Sequence, residues 1–253
     1  MVSRLLTLRI RRHQREKDPP QWIETFQVET RKGMNLLEAL IQIQDEQNGT
    51  LAFRYSCRGA VCGSCAMRVD GKVVLACRTH VEEILAKPVL IEPLPYFPVI
   101  RDLIVDMSVF FEHYRKIEPY LRGEPASGRS ESLMDEQTRK EIDPYIQCIL
   151  CGICFGVCPT FNRDRRFLGP AILAKAYRFF ADPRDTRDEE ILQKVNRQTG
   201  VWGCNTVFQC VRACPKEVPP THAIVAMRRK ILRHRPTSSI RSFLHGVLKR
   251  LRA

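Results

Sequence analysis

The chain has 253 residues, 44% hydrophobic and 27% charged, with a formal net charge of +13; this composition excludes a disordered or low-complexity protein and leaves room for one or two domains with cores of their own. No run of 18 or more apolar residues occurs, so no stretch reads as a membrane-spanning helix. Eleven cysteines, an odd number gathered in closely spaced units, argue against a disulfide framework and for thiolate ligands in a reducing compartment.

The opening Met1-Val-Ser-Arg-Leu-Leu-Thr-Leu-Arg-Ile10 passes straight into alternation, without a signal-peptide core or a twin-arginine leader. That sets the expectation of a cytoplasmic location in a prokaryote. Leu6, Leu8 and Ile10, then Trp22, Phe26 and Val28 beyond Lys17-Asp-Pro-Pro20, predict a β-hairpin with one buried face. Asn35, with Glu38 three residues on, is a capping-box signature for a helix whose apolar stripe is Leu36, Leu37, Leu40 and Ile41. Asp70-Gly71 is a two-residue turn signal between strands carrying Met67 and Val69, and Val73 and Leu75. A last strand is expected from Val89 to Leu94.

Between the helix and the second hairpin lies Cys57-Arg-Gly-Ala-Val-Cys62-Gly-Ser-Cys65, and Cys77 follows at a distance. Cys-x4-Cys-x2-Cys with a remote fourth cysteine is the plant-type spacing that holds a [2Fe-2S] cluster. Gly59 and Gly63 suit a loop whose backbone N–H groups must approach sulfur closely. A zinc ribbon is the competing reading, but it favours two separated Cys-x2-Cys knuckles.

After Pro98 the period becomes helical, with Leu103, Ile104, Met107, Phe110, Phe111 and Tyr114 predicting a helix over Arg101 to Arg115. Gly123 to Ser130 reads as a connector. Helices are then expected over Asp135 to Ile146, Ala171 to Phe180 behind Pro170, Asp188 to Arg197, and Thr221 to Arg233.

Two cysteine runs punctuate these helices: Cys148-x2-Cys151-x2-Cys154-x3-Cys158-Pro159 and Cys204-x2-Val207-x2-Cys210-x3-Cys214-Pro215. The first is the bacterial-ferredoxin run, whose fourth cysteine in two-cluster ferredoxins ligates the other cluster. If the runs exchange their last cysteines, Cys148, Cys151, Cys154 and Cys214 provide four ligands for a [4Fe-4S] cube. Cys158, Cys204 and Cys210 then provide three, with Val207 unable to bind iron at the fourth corner, which suits [3Fe-4S]. With Cys57, Cys62, Cys65 and Cys77 at the [2Fe-2S] site, all eleven cysteines are used.

A plant-type ferredoxin domain followed by a bacterial-type two-cluster domain, with the second run lacking its middle cysteine, resembles the iron-sulfur subunit of succinate dehydrogenases and fumarate reductases, respiratory complex II. Phe167-Leu-Gly-Pro170, Tyr177-Arg-Phe179 and Asp182-Pro-Arg-Asp185 are similar to family segments, and the likeness runs from Leu6 to about Arg233. The resemblance implies an α+β protein. Its parts would be an N-terminal β-grasp plant-type ferredoxin domain (1–100), a helix and connector (101–135), a C-terminal all-α bacterial-type ferredoxin domain (136–235) and a basic tail (236–253).

By the same resemblance the chain relays electrons between an FAD flavoprotein, which holds the dicarboxylate site, and a quinone at a membrane anchor subunit. It would sit peripherally on the cytoplasmic face of the inner membrane and do no dicarboxylate chemistry itself, so no catalytic residue is assigned. Ubiquinone-linked relatives commonly place tryptophan after the first Cys-Pro and histidine after the next cluster cysteine. Here Thr160, Phe161, Asn162, Arg163 and Asn205 stand instead, so a menaquinone-type partner is favoured, with Pro159, Thr160, Phe161, Arg163 and Asn205 expected to line the quinone pocket.

Alternatives are an iron-sulfur subunit for another flavoprotein, such as a glycolate or glycerol-3-phosphate oxidoreductase, against which the [2Fe-2S] domain speaks, and a zinc-dependent nucleic-acid-binding protein. No nucleic-acid partner is expected, because the aromatic and basic residues form no stacking platform. Nine lysines and arginines and no carboxylate between Arg228 and Ala253 suggest a tail facing anionic lipid or an acidic subunit.

Overall fold

The computed structural model describes residues 4–85, 87–123 and 131–234. The first half is a mixed five-stranded sheet with one helix laid across it. β1 (Arg4–His13) and β2 (Gln21–Thr30) pair antiparallel along their whole lengths. The alternation works as the period predicts: Leu6, Leu8, Ile10, Phe26 and Val28 turn inward and are buried.

α1 (Leu36–Glu46) starts at the capping box. Asn35 Oδ1 accepts the Glu38 N–H at 3.0 Å, and Glu38 Oε2 accepts the Asn35 N–H at 3.1 Å. The helix buries Leu36, Leu37, Ala39, Leu40 and Ile43 against the sheet, while Ile41 stays at the rim. β3 (Ala66–Val69) and β4 (Lys72–Leu75) flank Asp70-Gly71, and β5 (Val89–Glu92) inserts parallel to β1 and antiparallel to β3. The resulting order β2-β1-β5-β3-β4 is a β-grasp arrangement, with the parallel pair inside the sheet where both neighbours cover it.

Residues after Pro98 depart from the predicted helix over 101–115. β6 (Val99–Arg101) and β7 (Ile104–Val105) form a small hairpin instead, and α2 (Ser108–Lys116) begins only beyond it. The cause is Asp102, which takes a left-handed φ of 44° and is 1% exposed. Its carboxylate accepts the backbone N–H of His13 at 3.0 Å and of Ala52 at 2.9 Å, and the Arg12 Nε lies 3.0 Å away. Satisfying that buried charge, the strand-end donor of His13 and the loop donor of Ala52 outweighs the helical periodicity of the segment. The hairpin therefore stays tied to β1, beyond the expected domain limit at residue 100.

The second half is helical among its described residues: α3 (Glu136–Ile146), α4 (Ile153–Gly156), α5 (Pro159–Arg163), α6 (Pro170–Phe180), α7 (Asp188–Val195), α8 (Gln209–Arg212) and α9 (Pro220–His234). Asp135 caps α3 through the Thr138 N–H at 2.9 Å, and Pro170 opens α6. α6 packs against α3, α4, α7 and α9, so both cysteine runs lie around one central helix.

Aromatic packing joins the halves. Phe97 and Phe110 of the first half meet Phe155 and Phe161 of the second, with ring centroids 4.7 Å apart for Phe110 and Phe155 and 5.7 Å for Phe97 and Phe161. Arg187, 4% exposed, is paired with Asp185 at 2.6 Å and donates to the carbonyls of Glu118 and Tyr120, which fastens the chain after α2 to the helical half. Residues 124–130 of the expected connector and the expected tail over 236–253 lie outside the described residues.

Candidate iron-sulfur centres

The first thiol loop turns its N–H groups inward. Arg58, Ala60 and Gly63 adopt left-handed φ of 56°, 57° and 72°, and the backbone N–H groups between them form a concave run of donors that favours negative charge. Cys57 Sγ accepts from the N–H of Gly59 at 3.4 Å, Val61 at 3.2 Å and Cys62 at 3.2 Å. Burial would raise the Cys62 thiol, but hydrogen bonds from Ser64 and Cys57 outweigh it and hold it near 6. Cys65, 3% exposed, is pushed up to about 12 by burial, with Cys77 and Cys62 adjacent. All four cysteines of the run are thus brought together.

The two later runs interleave. One cavity is lined by Cys148, Cys151 and Cys154 of the first run and by Cys214 of the second. A second cavity is lined by Cys158 of the first run and by Cys204, Cys210 and Val207 of the second. Burial pushes Cys151 up to about 12 and raises Cys148, Cys154, Cys158 and Cys210. Thiols so placed lose their protons only when a cationic core takes up the charge. Soft sulfur ligands in apolar cavities fit iron-sulfur clusters. Among the described residues no three His, Cys, Asp or Glu side chains meet where a single metal ion could sit; the thiols stand around spaces instead.

Backbone geometry repeats along with the cysteines. Leu150 and Gly152 are left-handed around Cys151, with φ of 55° and 78°, and Thr206 and Phe208 are left-handed around Val207, both with φ of 58°. Each pair is followed by one short helix, α4 or α8. A bulky residue such as Phe208 rarely takes this conformation, so the loop is held in it by its surroundings. Val207 is 45% exposed and is not core filler.

Two holding residues carry no local sequence signal. Thr221 Oγ lies 3.2 Å from Cys210 Sγ. Arg228 of α9 donates to the carbonyls of Val201 at 2.8 Å and Cys204 at 2.6 Å. It is the first of the basic residues assigned to the C-terminal stretch, and here it is a half-buried clamp on the second run.

The five residues expected at a quinone pocket do not gather as a set. Pro159, Thr160 and Asn205 line the cavity of Cys158, Cys204 and Cys210. Phe161 is fully buried between Phe97 and Phe155, and Arg163 is exposed at the end of α5. The helical spacing that places Thr160 toward the thiols sends Phe161 into the core.

Two domain families match the chain. Residues 7–112 match the 2Fe-2S iron-sulfur cluster binding domain, and residues 145–218 match the 4Fe-4S dicluster domain. The chain is therefore an α+β iron-sulfur protein that joins these two domains. Its fold is shared with a chain of the Mycobacterium smegmatis Sdh1 complex in the apo form, at 24% identity and a TM-score of 0.80 over 92% of this chain and 98% of that one. A hypothetical protein from Helicobacter pylori is similar over 98% of this chain and 44% of its own, at 16% identity and a TM-score of 0.57. Among the described residues no helix is long and apolar enough to cross a membrane.

Proposed function

We propose that the chain is the iron-sulfur subunit of a succinate:quinone oxidoreductase or quinol:fumarate reductase. In this reading it connects an FAD flavoprotein to a quinone held at a membrane anchor subunit, on the cytoplasmic face of a prokaryotic inner membrane. The observation that carries it is the pairing of two interleaved thiol cavities, one with four cysteines and one with three and a valine, behind a separate four-cysteine loop. The likeness of fold to a chain of an Sdh1 complex supports the same reading.

Cys57, Cys62, Cys65 and Cys77 hold [2Fe-2S] in this account, Cys148, Cys151, Cys154 and Cys214 hold [4Fe-4S], and Cys158, Cys204 and Cys210 hold [3Fe-4S]. When bound, the three clusters supply one-electron sites that divide a path too long for a single transfer. The protein orients the thiols, excludes water from the two helical cavities and sets the potentials through hydrogen bonds to sulfur. The donors on Cys57 favour a [2Fe-2S] potential above the value of about −400 mV typical of plant-type ferredoxins. Pro159, Thr160 and Asn205 would face the quinone, of menaquinone type.

The test is purification of the chain with its partners from membranes, followed by iron and sulfide analysis, redox titration by electron paramagnetic resonance (EPR) and quinone extraction. The proposal expects a flavoprotein and an anchor to co-purify, three distinct signals and a bound menaquinone. A chain that isolates with zinc in place of iron, or with two centres only, overturns it.

A further inference from the structure

Gly63 follows Cys62 directly in the first thiol loop, and it lies against the second. A Cβ built on it would fall 2.7 Å from Cys151 Cβ, 2.8 Å from Cys151 Cα and 3.2 Å from Cys151 N. The first two are separations that real side chains essentially never show and the third is tight, and two of the three neighbours are backbone atoms that a rotamer change cannot move. Cys62, Gly63 and Ser64 line one crevice together with Leu150 and Cys151, so the seam between the halves has a candidate ligand of the first set on one wall and of the second set on the other.

Other glycines show that this is more than a requirement for a left-handed turn. Gly71 also has a positive φ, 81°, but nothing lies within 4 Å of where its Cβ would be. Gly59, in the same thiol loop, has its nearest neighbour at 3.7 Å. Gly63 alone of the three meets a cysteine of another set.

We infer that Gly63 is a positioning residue: its missing side chain lets the [2Fe-2S] loop seat directly on Cys151 and thereby fixes the closest approach of the first and second centres. This rests on the three-centre reading above. The aromatic packing of Phe97, Phe110, Phe155 and Phe161 holds the halves together at large, and Gly63 determines how near the two thiol loops come within that contact.

The experiment uses the protein in its purified complex. Power saturation of the reduced [2Fe-2S] EPR signal is measured at potentials where the [4Fe-4S] centre is oxidised and where it is reduced; a nearby paramagnet speeds relaxation. In wild type, reduction of the second centre is expected to speed relaxation of the first. Gly63→Ala, with iron and sulfide content and both potentials retained, is expected to lose most of that enhancement, while Gly71→Ala, outside the thiol loop, keeps it. A Gly63→Ala protein with full enhancement overturns the inference.

Should Gly63→Ala fail to assemble its centres, wild type decides: enhancement supports the seating of the loop on Cys151, and its absence with both signals present overturns it. A wild-type protein that lacks one of the two signals refutes the three-centre reading itself, which is a different failure.

Discussion

Val207 occupies in the second cysteine run the place that Cys151 occupies in the first, at an offset of 56 residues, between two left-handed residues and before a short helix in both cases. The backbone that presents a thiol at one site therefore presents an isopropyl group at the other. Val207→Cys supplies the missing donor without disturbing a core, since the side chain is 45% exposed and surface changes usually alter stability by no more than about 0.5 kcal/mol. The variant is expected to take up a fourth iron. EPR of the oxidised protein checks this, because the trinuclear signal should disappear and the potential of that centre should fall.

Exchange of the last cysteines gives a test that runs against chain order. Cys214 lines the cavity of Cys148, Cys151 and Cys154, and Cys158 lines that of Cys204 and Cys210. Cys214→Ala is expected to damage the [4Fe-4S] signal first, although it belongs to the second run. Cys158→Ala should damage the [3Fe-4S] signal first. The reverse pattern in EPR of the two variants would show that each run serves its own cavity.

Thr221 offers a tuning prediction. Its hydroxyl lies 3.2 Å from Cys210 Sγ, and hydrogen bonds to cluster sulfur stabilise the more negative, reduced state. Thr221→Val keeps the shape and removes the donor. The [3Fe-4S] potential is expected to fall, with the [2Fe-2S] potential unmoved, in a redox titration of the intact complex.

Asp185 and Arg187 form a buried pair at 2.6 Å that also carries the carbonyls of Glu118 and Tyr120. Removing the carboxylate leaves Arg187 with the partly exposed Glu118, 3.5 Å away, as its charged partner, so the cost should lie at or below the lower end of the roughly 3–5 kcal/mol for breaking a buried pair from one side. Asp185→Asn should lower the urea midpoint at neutral pH accordingly.

The pH dependence of that loss has a definite sign. Burial would raise Asp185 and Asp182, yet hydrogen bonds and charge from Arg187 and Arg184 outweigh it and hold both carboxyls below the ordinary range. Burial acts likewise on Glu92, where Arg68 and Arg11 prevail. A folded value below the unfolded one means stabilisation that is complete above the unfolded value, about 3.9 for Asp, and lost as pH falls through the folded value. The gap in urea midpoint between wild type and Asp185→Asn should hold from pH 7 to about 5, begin to narrow near the unfolded value of about 3.9 and go on narrowing as pH falls through the folded one.

Local signals in the sequence carried well because the physics behind them is local. The capping box at Asn35, the Asp70-Gly71 turn and Pro170 each depend on neighbours a few residues away, and each lies where its pattern put it. Contacts made across the chain left no such mark. Asp102 ends β1 by accepting from His13 and Ala52, so a stretch with helical periodicity became a hairpin. In the sequence Arg228 is one more cation in a basic stretch, but its partners Val201 and Cys204 are carbonyls, which have no side-chain signature. Phe161 reads as a pocket residue beside Cys-Pro and is instead a core ring, because the aromatic group it joins comes from both halves.

The crossing of Cys158 and Cys214 between cavities has a bearing on biosynthesis. During translation the wall of the four-cysteine cavity stays incomplete until residue 214 has emerged from the ribosome, although its first three thiols lie some sixty residues upstream. The three-cysteine cavity is complete only four residues earlier, at Cys210, although Cys158 lies some fifty residues upstream. In this reading iron delivery to both waits for the same late stretch, and any truncation before Cys210 removes a ligand from each.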